Sequence, residues 1–324
     1  MRPPNPVWPV VTAKIKRPPW TLPVIVFAQF AGTSIWFSGN AVLAELMQRW
    51  SSPSSMAGWI TSAVQLGFIA GTLVFAIFAV SDRFSPRWVF LLCAVAGSLS
   101  NLLTGPAGNS LAGLLVLRCI TGFFLAGIYP VGMKIAAGWY QKGLGNALGF
   151  LIGALVLGTA FPQLLKGGLS SVPWQAVIVL SSGVCLLGGL LMFLLIPDGP
   201  YLVAGARFNP RAVVAMFGHR ELRAAALGYF GHMWELYTLW AFVPVFLAAY
   251  LSSVPGLSRN VSFWSFLIIG IGSVGCSLGG LDSARVGSAR VAFIQLAVSG
   301  ICCLFSPLFF AAPPSLFLVF MLLW

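Results

Sequence analysis

Residues 111–133 read LAGLLVLRCITGFFLAGIYPVGM, an apolar run with one charged group, Arg118, inside it. Such a run is long enough to cross the roughly 30 Å hydrocarbon core of a bilayer as a helix rising about 1.5 Å per residue. Arg118 lies seven residues into the run, about 10 Å from its end, too deep for an ordinary interfacial anchor. An ionisable group at that depth is expensive and by default marks a functional site. Runs of the same kind fall at 21–44, 57–80, 88–106, 145–165, 174–196, 222–250, 262–281 and 291–312. Nine complete membrane helices are therefore expected. A tenth run opens near Ser315 and stops at Trp324, after about 15 Å of helix, half a hydrocarbon core. Nothing polar closes it, so the sequence reads as cut inside a helix.

Composition agrees with an all-α, polytopic membrane protein. Of 324 residues, 59% are hydrophobic and 7% charged, against roughly 45–50% and about 25% in soluble domains. The mean hydropathy is +0.94. A soluble globule would have almost nothing to cover its surface with. The net charge of +12 does not make a nucleic-acid binder, because the basic residues are scattered between apolar runs rather than clustered on one face. Six cysteines without a CxxC, and two histidines in all, leave no metal, cofactor or nucleophile constellation, and an enzyme is not expected. No run after the sixth holds a lysine for a retinal Schiff base.

Lysine and arginine fix the orientation, since cytoplasmic loops carry them in excess. With the tail at 1–20 inside, 14 of the 18 fall on inside loops and only Arg49, Lys166 and Arg259 outside. The expected location is the plasma membrane (the inner membrane in a bacterium), with the N-terminus cytoplasmic. Seven of the 12 tryptophans, among them Trp59, Trp139 and Trp174, sit at or near run ends, as interfacial belts do. The longest loop, 197–221, is read as a cytoplasmic linker between a six-helix bundle at 21–196 and an incomplete second bundle at 222–324.

Three ionisable residues lie at membrane depth: Arg118 in the fourth run, and His232 with Glu235 in the seventh. The last two are three apart and share a helix face. In the first run Gln29, Thr33, Trp36 and Asn40 follow a 4-3-4 spacing, one stripe of a helix. Polar groups thus concentrate on runs one, four and seven, as expected when a few helices line a cavity. A plainer reading stands beside each: Arg118 bound to backbone carbonyls of a neighbouring helix, His232 with Glu235 as an interhelical polar pair, and the stripe as helix–helix contact.

Two loops carry a recurring pattern. Asp82, Arg83 and Arg87 in one, and Gly280, Arg285 and Gly287 in the other, resemble the cytoplasmic motif of the major facilitator superfamily. Phe78 and Ser85 stand where its glycines are usual, and Ala284 replaces its acid in the second copy. Leu114-x-x-x-Arg118-x-x-x-Gly122, followed by Ala126-Gly127-Ile128-Tyr129-Pro130, is similar to another element of that family. The resemblance implies two bundles of six helices, a central cavity lined by crossings one, four, seven and ten, and alternating access. It also implies that the loop motif braces one conformation against the opposite bundle.

On that resemblance the chain is expected to be a secondary active transporter of a small organic solute, coupled to protons. Glu235 would load and release the proton and His232 would tune or relay it. Arg118 would attract an anionic group, and Gln29, Thr33, Trp36, Asn40, Tyr129, Tyr237 and Trp240 would line the substrate site. The partners are the lipid bilayer, the substrate and protons. The alternatives are a truncated, non-transporting membrane protein and a proton-independent uniporter.

Overall fold

The computed structural model describes residues 17–50, 56–105, 110–168, 173–202, 209–254 and 260–324. The tail at 1–16 with Arg2, Lys14 and Lys16 lies outside the described residues, as do Arg207, Arg259 and the side chains of Arg49 and Trp50. Each apolar run becomes helix, because a backbone in hydrocarbon can satisfy its polar groups only within its own segment. The first run holds α1 (Thr21–Thr33), α2 (Ser38–Ala41) and α3 (Leu43–Trp50). The second is α4 (Met56–Ile77); a single turn, α5 (Val80–Arg83), leads to α6 (Pro86–Leu103), which opens on a proline where a missing N–H costs nothing. The fourth run is a rod in two pieces, α7 (Leu111–Leu125) and α8 (Tyr129–Trp139), with Ser110 Oγ capping α7 by accepting from the Gly113 N–H at 3.1 Å.

The chain continues through α9 (Leu144–Gly168) and α10 (Trp174–Leu195), then α11 (Pro210–Gly218) before α12 (Arg220–Ser253). It ends with α13 (Val261–Val286), α14 (Ser288–Phe310) and α15 (Pro314–Leu323). Among the described residues eight helices are long and apolar enough to cross a membrane, counting α7 with α8 as one. Leu304, Phe293 and Leu194 are 79%, 73% and 69% exposed, and an apolar surface of that extent is covered by lipid. The protein is a multi-pass integral membrane protein.

The first crossing differs from the single helix expected over 21–44. Helix α1 stops at Thr33, and Ser34–Phe37 form turns in which the Ser34 N–H donates to Ala31 O and the Trp36 N–H to Thr33 O. Thr33, Ser34 and Ser38 each bond a carbonyl three or four residues back, the local competition that weakens helices at Ser and Thr. The expected count of nine complete helices thus becomes eight long ones plus a broken first crossing.

Small residues set the packing. An added Cβ on Gly67 would lie 1.9 Å from Cys119 O, and one on Gly122 1.9 Å from Val64 O, so α4 and α7 meet backbone to backbone. Helices α9 and α13 form a second seam, joining the two halves of the chain. Gly149 faces the Cα of Gly280, Gly153 faces Ser273 O, and Gly167 O accepts from Asn260 Nδ2 at 2.7 Å. Such close approach is how helices associate without a hydrophobic drive between them. Helix α15 docks on α12 through Phe317, stacked on Tyr250 at 3.7 Å.

The loop after α4 turns at Ala79, whose φ of 48° is left-handed. An L side chain there costs about 1–2 kcal/mol. Ala79→Gly is therefore expected to stabilise the protein by about 1 kcal/mol, read as a raised Tm in detergent without change in oligomeric state.

Candidate substrate and coupling site

Arg118 is completely buried, in the middle of α7. It reaches the interruption of the first crossing, where Nη1 donates to Ile35 O at 3.3 Å and to Ser38 Oγ at 3.2 Å. Nη2 donates to Asn101 Oδ1 and, at 3.4 Å, to Thr121 Oγ1. Asn101 in turn donates from Nδ2 to Ser182 Oγ at 2.8 Å, so the network ties α6, α7 and α10 to the broken segment. All four acceptors are neutral. No carboxylate lies within ion-pair reach of Arg118 among the described residues, and its Nε has no partner. A cation beside carbonyls freed at the end of α1 is favourable by the helix dipole, but its charge has no counter-ion.

The first-run stripe does not stay together, because the helix it was drawn on is interrupted. Gln29 is fully buried against Gly132 of α8, with neither end of its amide hydrogen-bonded. Thr33 Oγ1 points to α9, 3.4 Å from Leu155 O. Asn40 donates from Nδ2 to Thr61 Oγ1 of α4 at 2.8 Å. Only Trp36 meets the other candidate wall residues.

Those aromatic residues do converge. The Trp36 ring lies 6.4 Å from Tyr129 and 5.9 Å from Tyr237, and Tyr237 lies 5.7 Å from Trp240. Trp240 also meets Phe37 edge-on at 5.8 Å. Trp36 Nε1 donates to Gln65 Oε1 at 3.0 Å, and Gln65 also hydrogen-bonds Tyr237. The cluster therefore bridges α4 and both interrupted crossings to α12. Discontinuous helices meeting at mid-membrane are where transporters place substrate sites. A groove of about 360 Å³ between Phe27, Phe150 and Ser277 is mostly apolar and is lined by none of these groups.

Glu235 points elsewhere, into the second half. Its Oε1 accepts from Ser299 Oγ of α14 and, at 3.3 Å, from Trp324 Nε1. His232 Nδ1 stands 3.6 Å from Oε2, within ion-pair reach but too long for a hydrogen bond. The structure thus brings His232 and Glu235 together and sets them apart from the aromatic cluster, two residues along the same helix.

In the first loop Asp82 pairs with Lys134 at the end of the fourth crossing, and Lys134 Nζ also donates to Ser81 O at 2.7 Å. This contact lies within the first half of the chain, whereas the resemblance implies one across to the other bundle. Arg83 is exposed, and the Arg87 guanidinium lies 5.5 Å over the Phe193 ring. In the second loop Gly280 packs on Gly149, and Gly287, at φ 92°, is the single residue between α13 and α14. Arg285 lies in the last turn of α13. Sequence reasoning missed Asn101, Gln65 and Lys134. A lone amide inside an apolar run was the available signal for the first two; Lys134 was read only as a topology marker.

The model of the Major Facilitator Superfamily matches residues 24–324. A probable sulfoacetate transporter of Cupriavidus necator is 23% identical over 79% of this chain and 65% of its own. The D-galactonate transporter of Escherichia coli is 27% identical over 35% of this chain and 26% of its own. The chain thus spans less than two thirds of the length of either relative. Among solved structures, a bacterial homologue of the human lysosomal transporter Spinster, inward-facing and unoccupied, superposes with a TM-score of 0.66 at 17% identity, covering 95% of this chain and 72% of that one. The xylose transporter XylE of E. coli gives 0.66 at 15% identity, covering 94% and 83%. The structural likenesses establish the fold. The family and these relatives are transporters rather than enzymes.

Proposed function

Because the chain belongs to the major facilitator superfamily, we propose that it is a secondary transporter moving a small organic anion by alternating access. The observation that carries the reading is Arg118, a wholly buried cation without a counter-ion among the described residues, at the interruption of the first crossing. A charge held in that way costs free energy unless something negative meets it. The relatives named for sulfoacetate and D-galactonate support an anionic substrate class. In this reading Trp36, Tyr129, Tyr237 and Trp240 form the walls that part and close, while Gln29, Thr33 and Asn40, packed on α8, α9 and α4, hold the first crossing in place. The division into 21–196, a linker at 197–221 and 222–324, a cytoplasmic N-terminus and a plasma-membrane location belong to the same proposal. The loop pair Asp82–Lys134 ties the first loop to the fourth crossing, with Arg83 and Arg87 in that same loop, and Gly280, Arg285 and Gly287 shape the second loop.

Protons enter through Glu235, which Ser299 and Trp324 hold and His232 neighbours. Its two hydrogen-bond partners come from α14 and the end of the chain, so a change in packing around α12 would change the cost of its charge. The test is uptake of a labelled organic anion by proteoliposomes with and without an imposed pH gradient. Acid outside is expected to accelerate uptake several-fold, and Glu235→Gln to remove that stimulation while exchange at equal pH persists. If Glu235→Gln keeps the same pH dependence, the proton role is wrong. Flux in the parent that ignores the gradient would make the protein a uniporter.

A further inference from the structure

Where α8 ends at Trp139, the turn into α9 and the segment following α10 enclose a cleft of about 290 Å³. Arg17, Trp139, Tyr140, Gln141, Lys142 and Tyr201 line it. Its walls are fixed by backbone and indole bonds: the Tyr201 N–H donates to Gly138 O at 2.9 Å, and Trp139 Nε1 donates to Pro197 O at 3.1 Å. The Arg17 guanidinium carbon lies over the Tyr140 ring, 4.0 Å from its centroid. A guanidinium held over an aromatic ring can still offer N–H groups to an anionic acceptor. Burial pushes the Tyr140 phenol above its ordinary value, against the pull of the Arg17 charge, so it stays a neutral donor at physiological pH.

Charge favours an anion in the cleft. Lys134 and Lys166 are paired, with Asp82 and Glu45. Arg17 and Lys142 have no carboxylate within ion-pair reach among the described residues. The cleft also sits at the end of a membrane-length rod, the level of aromatic belts and lipid headgroups, on the side proposed above as cytoplasmic. We propose that this cleft binds a phosphate group at the bilayer surface, with the guanidinium of Arg17 and the ammonium of Lys142 as its charge partners. The phosphate comes from an anionic lipid headgroup or from free phosphate, and the site stands apart from the substrate path.

The test titrates the purified full chain, in neutral detergent, with short-chain phosphatidylglycerol, phosphatidylcholine and inorganic phosphate in separate arms, bound species being read by native mass spectrometry. One phosphatidylglycerol is expected to bind, and the pair Arg17→Gln with Lys142→Gln to weaken it about thirtyfold, the ratio two basic contacts at an anionic surface confer. Each single change is expected to cost about fivefold, and the charge-keeping pair Arg17→Lys with Lys142→Arg to retain binding. Competition by inorganic phosphate with the same dependence on the two residues would assign the site to free phosphate; its failure to compete would assign it to the lipid. Phosphatidylcholine binding as tightly as phosphatidylglycerol would overturn the proposal. So would unchanged affinity in the double glutamine variant, or equal loss in the folded charge-keeping pair.

Discussion

Replacing Arg118 by methionine is expected to abolish organic-anion uptake while leaving the protein as stable as the parent, or more so. The two effects separate because the residue's costs and uses differ. In the resting structure its guanidinium is fully buried, meets only neutral acceptors and leaves Nε unpaired. Removing an uncompensated buried charge in favour of an apolar chain of similar volume is commonly neutral or stabilising. The acceptors left behind keep other donors nearby: Ser38 Oγ lies 3.0 Å from Ile35 O and 2.8 Å from Asn101 Oδ1. Transport loses the one fixed positive charge at the interrupted crossing. Loss of a desolvated charge contact corresponds to about 3 kcal/mol, or roughly 100-fold in uptake. Arg118→Lys keeps the charge without the fork and is expected to fall between. Thermal melting in detergent, set beside uptake, separates the readings. A variant that melts far below the parent would make Arg118 interhelical glue, the plainer reading of its position.

The largest effect on folding is expected from Gly122→Val. A Cβ at Gly122 would lie 1.9 Å from Val64 O, and the reciprocal Gly67 faces Cys119 O at the same distance. Overpacking a core costs about 1–3 kcal/mol when a side chain can yield. Here the obstacle is backbone on both helices, so α4 and α7 must separate along their seam, and the loss exceeds that range. Gly122→Val should leave little monodisperse protein after extraction, and Gly122→Ala a reduced fraction. Gly183→Ala on α10, with nothing within 4 Å of an added Cβ, is the control and should extract like the parent. Gel filtration in detergent reads all three.

The crossings were legible because the bilayer sets one length and one composition for every helix. Arg118 was legible for the same reason, as a charge where none is affordable. Gly122 shows a motif acquiring a physical meaning: its place four residues after Arg118 puts it one turn along the same face, against the α4 backbone. The break at Ser34–Phe37 was harder to see, since it contains neither proline nor glycine. Its signal was the cluster Thr33, Ser34, Ser38, Gly39 and Asn40, of which only Thr33 and Asn40 were read, with Gln29 and Trp36, as a polar stripe on an intact helix. Arg118, more than eighty residues away, donates to the break at Ile35 O and Ser38 Oγ, and local periodicity carries no such term. The direction of Glu235 was hidden likewise. Its spacing from His232 fixed their shared face, but which neighbours that face meets depends on Ser299 and Trp324. Phe78 stands where the family motif usually has a glycine; the left-handed residue is Ala79, one position on.

Uptake of labelled short-chain sulfonates and sugar acids by proteoliposomes, each beside a neutral polyol of equal size, tests the central claim most directly. Protein-dependent accumulation of at least one anion, with its neutral counterpart left at the rate of protein-free vesicles, is the predicted result. Equal flux of charged and neutral members, or no anion flux above empty vesicles, would contradict it.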